Sequence, residues 1–152
     1  MPTAEKSIDV DTYVTAAYNQ WTQFEEFPQF MDGVKEVRQL DDRHLHWRVK
    51  VAGVEREFDA EITEQLKDER IAWRSTSGTH QAGVVTFHKL SQSSTRVMLQ
   101  LDMESEGAVE KAGDKLGLVE RKISKDLGNF KKLIEERGHP TGAWRGEVPR
   151  EG

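Results

Sequence analysis

At 152 residues and 17.4 kDa the chain is sized for one domain that buries roughly 69% of its unfolded surface. Its 36% hydrophobic and 32% charged residues fall in periodic blocks that a disordered chain lacks. The absence of cysteine removes disulfides, thiol nucleophiles, iron–sulfur clusters and cysteine-bound zinc, and the net charge of −5, spread as −7 over residues 1–106 and +2 over 107–137, argues against sequence-independent nucleic-acid binding.

The first block, Glu5 to Asp11, alternates with Ile8 and Val10 on one face and predicts a short half-buried strand. From Val14 the spacing becomes helical through Ala17, Tyr18, Trp21 and Phe24, with Thr12 or Thr15 available to cap the first turn. Pro28 predicts a second, very short helix or turn that begins at that residue, since proline fits a first turn and not a helix interior. After Gly33 the period is two. Val34, Val37 and Leu40 are weakly patterned, whereas Leu45, Trp47, Val49 and Val51 alternate cleanly with His44, His46, Arg48 and Lys50. Apolar positions then fall on Val54, Phe58, Ala60 and Ile62, so Ala52-Gly53 is expected to form a two-residue hairpin turn. Runs at Ile71 and Trp73, at Val85 and Phe87, and at Val97, Leu99, Leu101 and Met103 complete an antiparallel meander with one apolar and one charged face. Its cover is a long amphipathic helix from Val109, with Ala112, Leu116, Val119, Ile123, Leu127, Phe130 and Ile134 on one stripe. Gly113, Gly117 and Gly128 interrupt it and predict a bend or a close approach. Residues 1–137 form the expected domain, and 138–152, with four glycines, two prolines and Trp144, read as a mobile tail.

The segments Ala17-Tyr18-Asn19-Gln20-Trp21-Thr22-Gln23-Phe24-Glu25-Glu26-Phe27-Pro28, Asp59-Ala60-Glu61-Ile62, Ala72-Trp73-Arg74-Ser75 and Gly83-Val84-Val85-Thr86-Phe87-His88 closely resemble the bacterial polyketide cyclase/dehydrase family. That family belongs with the START-like and coenzyme-Q-binding-protein-like domains. The resemblance spans about residues 5 to 137 and departs at Tyr13, where relatives tend to place proline. It implies an α+β helix-grip fold: a strand, two short helices, about six further antiparallel strands and a long C-terminal helix on the concave face. It also implies an interior cavity for a lipid, quinone or polyketide-like molecule, and in some members ring closure or dehydration.

The expected cavity wall is Leu45, Trp47, Phe58, Ile62, Trp73, Phe87, Leu99, Leu101 and Met103, facing Leu116, Val119, Ile123 and Leu127 of the helix. The same residues are equally the makings of a closed core. Few polar groups share that face. Arg56 and Ser75 are in phase with it, and Arg56 either orients a ligand oxygen or reaches solvent and an acidic neighbour. Tyr18 either donates a proton from the first helix or packs its ring with the hydroxyl at the surface. His44, His46 and His88 fall on the charged side, His80 in a turn near the expected mouth and His139 in the tail. No metal-ligand spacing is present, nor is a phosphate loop or nucleophile elbow. The acidic row Glu55, Glu57, Asp59 and Glu61 reads as a solvated strand face that pairs with neighbours such as Arg48 and Lys50.

The reading that follows is a carrier of a small hydrophobic ligand, with no metal or cofactor and with Trp47, Phe58, Trp73, Phe87, Leu99, Leu101, Met103, Leu116, Val119 and Ile123 as the ligand contacts. With no secretory leader pattern and no apolar run of bilayer length, a cytoplasmic protein without stable membrane insertion is expected. The alternatives are an aromatase/cyclase using Arg56 and Tyr18, and an interaction module or homodimer formed through the tail around Trp144.

Overall fold

The computed structural model describes residues 3–31, 33–51, 54–78, 81–103 and 112–137, with the side chains of 3, 51, 103 and 112–119 outside the description. Seven antiparallel strands form one sheet: β1 (Thr3–Val10), β2 (Val34–Gln39), β3 (His44–Val51), β4 (Val54–Leu66), β5 (Arg70–Gly78), β6 (Gln81–Ser91) and β7 (Ser94–Met103). The order is β1-β7-β6-β5-β4-β3-β2. Strands β2 to β7 are a meander, and β1 returns to pair with β7, setting Ile8 opposite Val97 and Val10 opposite Thr95. Helix α1 (Val14–Trp21) and a 3-10 helix (Phe24–Gln29) follow β1, and α2 (Ala112–Arg137) ends the described chain. α2 lies against β1 and β7, α1 against β6 and β7, and the 3-10 helix against β2. This is the helix-grip α+β arrangement that the periodicity and the resemblance implied.

Three local expectations are corrected. Neither Thr12 nor Thr15 caps α1: Tyr13 is the N-cap residue and gives no side-chain cap bond. The Thr12 carbonyl instead accepts from Thr95 Oγ1 at 2.9 Å, and Thr15 Oγ1 donates to Asp68 Oδ2 at 3.1 Å, so both residues tie α1 to the sheet. Pro28 lies inside the 3-10 helix and does not start it; a ring without N–H is tolerated there because the helix stops one residue later. At Gly128 nothing stands within 4 Å of where a Cβ would be, so no close approach explains that glycine.

Backbone irregularities account for the blurred patterning. A register shift between Val34 and Glu36 lets Val34 and Val37, three apart, both be buried. A second, between Ile62 and Glu64, carries Gln65 into the interior at 1% exposure. The β4–β5 turn places Asp68 at φ 59°, a conformation that aspartate tolerates better than bulkier residues. Val51 pairs with Val54, while the Ala52-Gly53 turn itself lies outside the described residues, as do the start of the helix from Val109 and the tail.

Ten aromatic rings hold the interior together. Tyr18 meets Phe87 edge-on at 5.5 Å, and Phe87 meets Trp21 at 6.3 Å. Trp21 also contacts Phe27, Phe30 and Phe130 at 5.7, 5.5 and 4.9 Å. Phe27 touches Phe24 and reaches Trp47 at 5.5 Å. Trp47 then stacks on Phe58 at 5.6 Å and on Trp73 at 6.3 Å, with interplanar angles of 14° and 21°. The network joins α1, the 3-10 helix, four strands and α2. Its T-shaped and tilted contacts add about 0.5–1.5 kcal/mol per pair beyond the area they bury.

Trp21 is the hub, wholly buried, yet its indole Nε1 has no hydrogen-bond partner among the described residues. Trp21→Ala is expected to lower unfolding stability by about 3–5 kcal/mol. Trp21→Phe, which keeps a ring and removes the unpaired donor, should cost clearly less. Urea unfolding midpoints of the two variants check this ordering.

Candidate functional site

Among the described residues the apolar face is largely filled: its rings contact one another, and beside them lies a partly open cleft of about 40 Å³ lined by Met31, Gly33, Val34, Trp47, Val49, Trp73, Gln81, Leu99, Leu101, Lys122 and Asp126. That volume suits a few waters or the edge of one ring and is well below the 300–1,000 Å³ typical of ligand pockets.

Of the wall residues read from the sequence, Trp47, Trp73, Leu99 and Leu101 line the cleft. Leu45, Phe58, Ile62, Phe87, Ile123 and Leu127 are buried in the packed core instead. The side chains of Met103, Leu116 and Val119 lie outside the described residues. Neither Arg56 nor Tyr18 is among the cleft's lining. Arg56 is half-buried opposite Val49, near the β3–β4 hairpin end. Tyr18 is wholly buried with its ring on Phe87; its hydroxyl is interior, which corrects the expectation of a surface hydroxyl.

Two glycines shape the cleft. Gly83 on β6 is the cross-strand partner of Trp73, and a Cβ there would lie 2.3 Å from the Trp73 ring. The indole is therefore laid flat over a position that only glycine leaves open. Gly33, at φ 86°, turns the chain into β2; a Cβ there would stand 3.0 Å from the Lys50 carbonyl, which accepts no such neighbour without displacement. The Gly33 carbonyl takes the Lys50 N–H at 2.6 Å, fixing Gly33 and Val34 at the cleft wall.

The polar edge went unread in the sequence. Lys122 Nζ sits 2.7 Å from Asp126 Oδ2, with side-chain exposures of 33% and 5%. A nearly buried carboxylate in an apolar cleft is weak evidence for stability, because desolvation offsets most of the Coulomb gain. The signal was available, for Lys122 and Asp126 flank Ile123 and Leu127 at helical spacing. Gln81 completes the edge. Its backbone N–H donates to Ser75 Oγ at 3.0 Å, and its side-chain Oε1 accepts from Trp73 Nε1 at 3.4 Å. Ser75, in phase with the apolar face, thus positions Gln81.

A larger concavity of about 420 Å³ lies on the outer sheet face, lined by Arg43, Glu61, Thr63, Glu64, Arg70, Ala72, Arg74 and Val84. Its charges are engaged with one another, Arg70 with Glu64 at 3.3 Å and Arg74 with Glu61 at 3.7 Å, and it offers no apolar enclosure. On the same face β3 and β4 oppose cation to anion, His44 to Glu61, His46 to Asp59, Arg48 to Glu57 and Lys50 to Glu55. His46 is the closest engaged: Nδ1 is 2.6 Å from Asp59 and Nε2 2.9 Å from Glu57. His88 is exposed beside Thr86. His80, His139 and Trp144 lie outside the described residues. Among those described, no group of three or more metal-ligating side chains occurs, and no helix is long and apolar enough to cross a membrane.

Comparison with known proteins supplies the class. Residues 10–132 match the family described as polyketide cyclase / dehydrase and lipid transport, and the chain belongs to that family. One relative is the "Uncharacterized 17.2 kDa protein in melC2-rnhH intergenic region" of Streptomyces lincolnensis, 56% identical over 149 residues, 97% of this chain and 99% of that one. Two solved structures share the fold. A START superfamily protein from Mycobacterium smegmatis has a TM-score of 0.71 at 19% identity, covering 89% of this chain and 95% of that one. The Zhui aromatase/cyclase from Streptomyces sp. R1128 has a TM-score of 0.72 at 18% identity, covering 93% and 98%.

The His46 contacts carry a pH dependence. Hydrogen bonds from the ring to Asp59 first and Glu57 second raise its pKa above the ordinary 6.5, and the same bond to His46 lowers that of Asp59 below 3.8. The histidine contribution is therefore complete below about pH 6.5 and is lost as pH rises through the folded-state pKa. The aspartate contribution is present above its ordinary range and is lost on acidification through its lowered pKa. The stability difference between wild type and His46→Gln should be largest between about pH 4 and 6.5 and shrink toward pH 8. Thermal unfolding across that range measures it, and an NMR titration of the ring should give a midpoint above 6.5 that falls in Asp59→Asn.

Proposed function

We propose that this protein binds a small, planar hydrophobic ligand in the cleft beside Trp47 and Trp73 and carries it without transforming it. One observation supports the reading above others: two near-parallel buried indoles and two leucines form an apolar slot whose rim holds a lysine–aspartate pair. Flat faces of this kind give a ring large contact area at little entropic cost, and a few polar groups at the rim fix its orientation. The family's description, which includes lipid transport, agrees with a carrier. So does the small volume of the slot, which favours a single ring or the edge of a larger one over an enclosed long chain. We place the protein in the cytoplasm on the same reading.

The alternative is cyclase or dehydrase chemistry, the first named for the Zhui protein and both in the family's description. A mechanism in which Arg56 orients and Tyr18 protonates an enolate is not proposed, because neither side chain lines the cleft. Any acid–base chemistry there falls to Asp126 and Lys122, which do.

Titration with single-ring and two-ring aromatic ketones, quinones and fatty acids, read by tryptophan fluorescence, tests the carrier reading. Saturable quenching by planar ligands, weakened at least about tenfold in Trp73→Ala, is expected, since a well-packed aromatic contact contributes more than the roughly 1.4 kcal/mol that a factor of ten represents. Absence of saturation across the set contradicts it.

A further inference from the structure

The two stacked indoles differ in how their N–H groups are used. Trp47 Nε1 is buried and has no partner among the described residues, whereas Trp73 Nε1 donates to the side chain of Gln81. An indole nitrogen only donates, so the Gln81 atom facing it must be the carbonyl oxygen, and the amide orientation follows from chemistry. With Oε1 engaged by Trp73 and the backbone N–H by Ser75 Oγ, the NH₂ group is what the Gln81 side chain has to donate. Gln81 lines the cleft and is part-exposed, and no acceptor among the described residues holds that NH₂ group. The other donor on the rim is the Lys122 ammonium, paired with Asp126.

We infer that Gln81 is the specificity-determining residue of the cleft, its NH₂ group donating a hydrogen bond to a ketone, quinone or carboxylate oxygen on a planar ligand whose ring lies against Trp73. The inference rests on the cleft being the ligand site and adds the ligand's chemical class: a ring bearing an acceptor oxygen, in preference to a plain hydrocarbon ring. Trp73 serves two purposes in this arrangement. Its face supplies the apolar wall, and its N–H holds Gln81 in the orientation that presents donors. Ser75 is a positioning residue, since it fixes the Gln81 backbone and does not line the cleft.

Acetophenone and ethylbenzene test this directly, because they have nearly the same shape and differ in one carbonyl oxygen. Both are titrated into the full chain, with the Trp73 indole N–H resonance as the site-specific readout. Wild type should bind acetophenone about five- to tenfold more tightly than ethylbenzene, the range of one net hydrogen bond. Gln81→Glu keeps an acceptor for Trp73 and removes the donor, so it should abolish or reverse the preference. Gln81→Met, which removes both, should also lose the preference and in addition shift the Trp73 N–H resonance in the free protein. A preference retained in Gln81→Glu overturns the inference. Equal binding of the two ligands by wild type overturns it while leaving the cleft reading intact. If neither ligand perturbs Trp73 in wild type, the cleft reading fails, and the inference falls with it.

Discussion

The structure depends on one continuous run of ring contacts, from Tyr18 and Phe87 through Trp21 and the Phe27/Phe30 pair to Trp47, Phe58 and Trp73. A curved sheet that grips a helix leaves a space that side chains must occupy or leave hollow. Here large rings from α1, the 3-10 helix and α2 reach across it and meet those of the sheet. Close packing of this kind leaves the Trp21 end without free volume, since interiors are dense and stiff. Among the described residues, the small cleft at the far end of the run is a part of the interior that the rings do not fill.

The cleft's chemistry follows from where that run stops. Beyond Trp73 the sheet supplies only glycine at position 83, so the indole lies flat and its edge turns to Gln81. On the opposite side α2 offers Lys122 and Asp126 in place of another apolar turn. A nearly buried carboxylate costs free energy that a leucine would not. On the function proposed above, its place beside an otherwise apolar slot orients a ligand. The last turns of α2, from Asn129 onward, serve the walls and not the slot. Asn129 donates to the Phe30 carbonyl at 3.1 Å, and Arg137 donates to Gln20 and Gln29 and pairs with Glu26. These contacts hold the two short helices against α2 and so fix one wall.

The strands, the long helix and the apolar face were legible because period-two and helical spacing survive wherever the backbone is regular. Legibility failed where it is not. Val34 and Val37 share a face only because a bulge intervenes, and Gln65 is interior for the same reason. Choosing between cavity and core was beyond periodicity, which reports which face is buried and not whether opposing faces touch. Trp21 was read as a helix position and the segment at Pro28 as a short helix or turn, yet Trp21, Phe27 and Phe30 are side chains that fill the space. Gln81, Lys122 and Asp126 were passed over because polar residues beside an apolar stripe usually face water. Only the fold shows that the stripe's flank borders the cleft.

The central claim is that ligand enters at the Trp47–Trp73 end of the aromatic run while the Trp21 end stays closed. Indole ¹H–¹⁵N spectra during titration with 2-naphthol measure this most directly. The account predicts that the Trp73 and Trp47 resonances move saturably together while that of Trp21 stays at its free position. Saturable movement of Trp21 without Trp73, or no saturable movement of any indole, would contradict it.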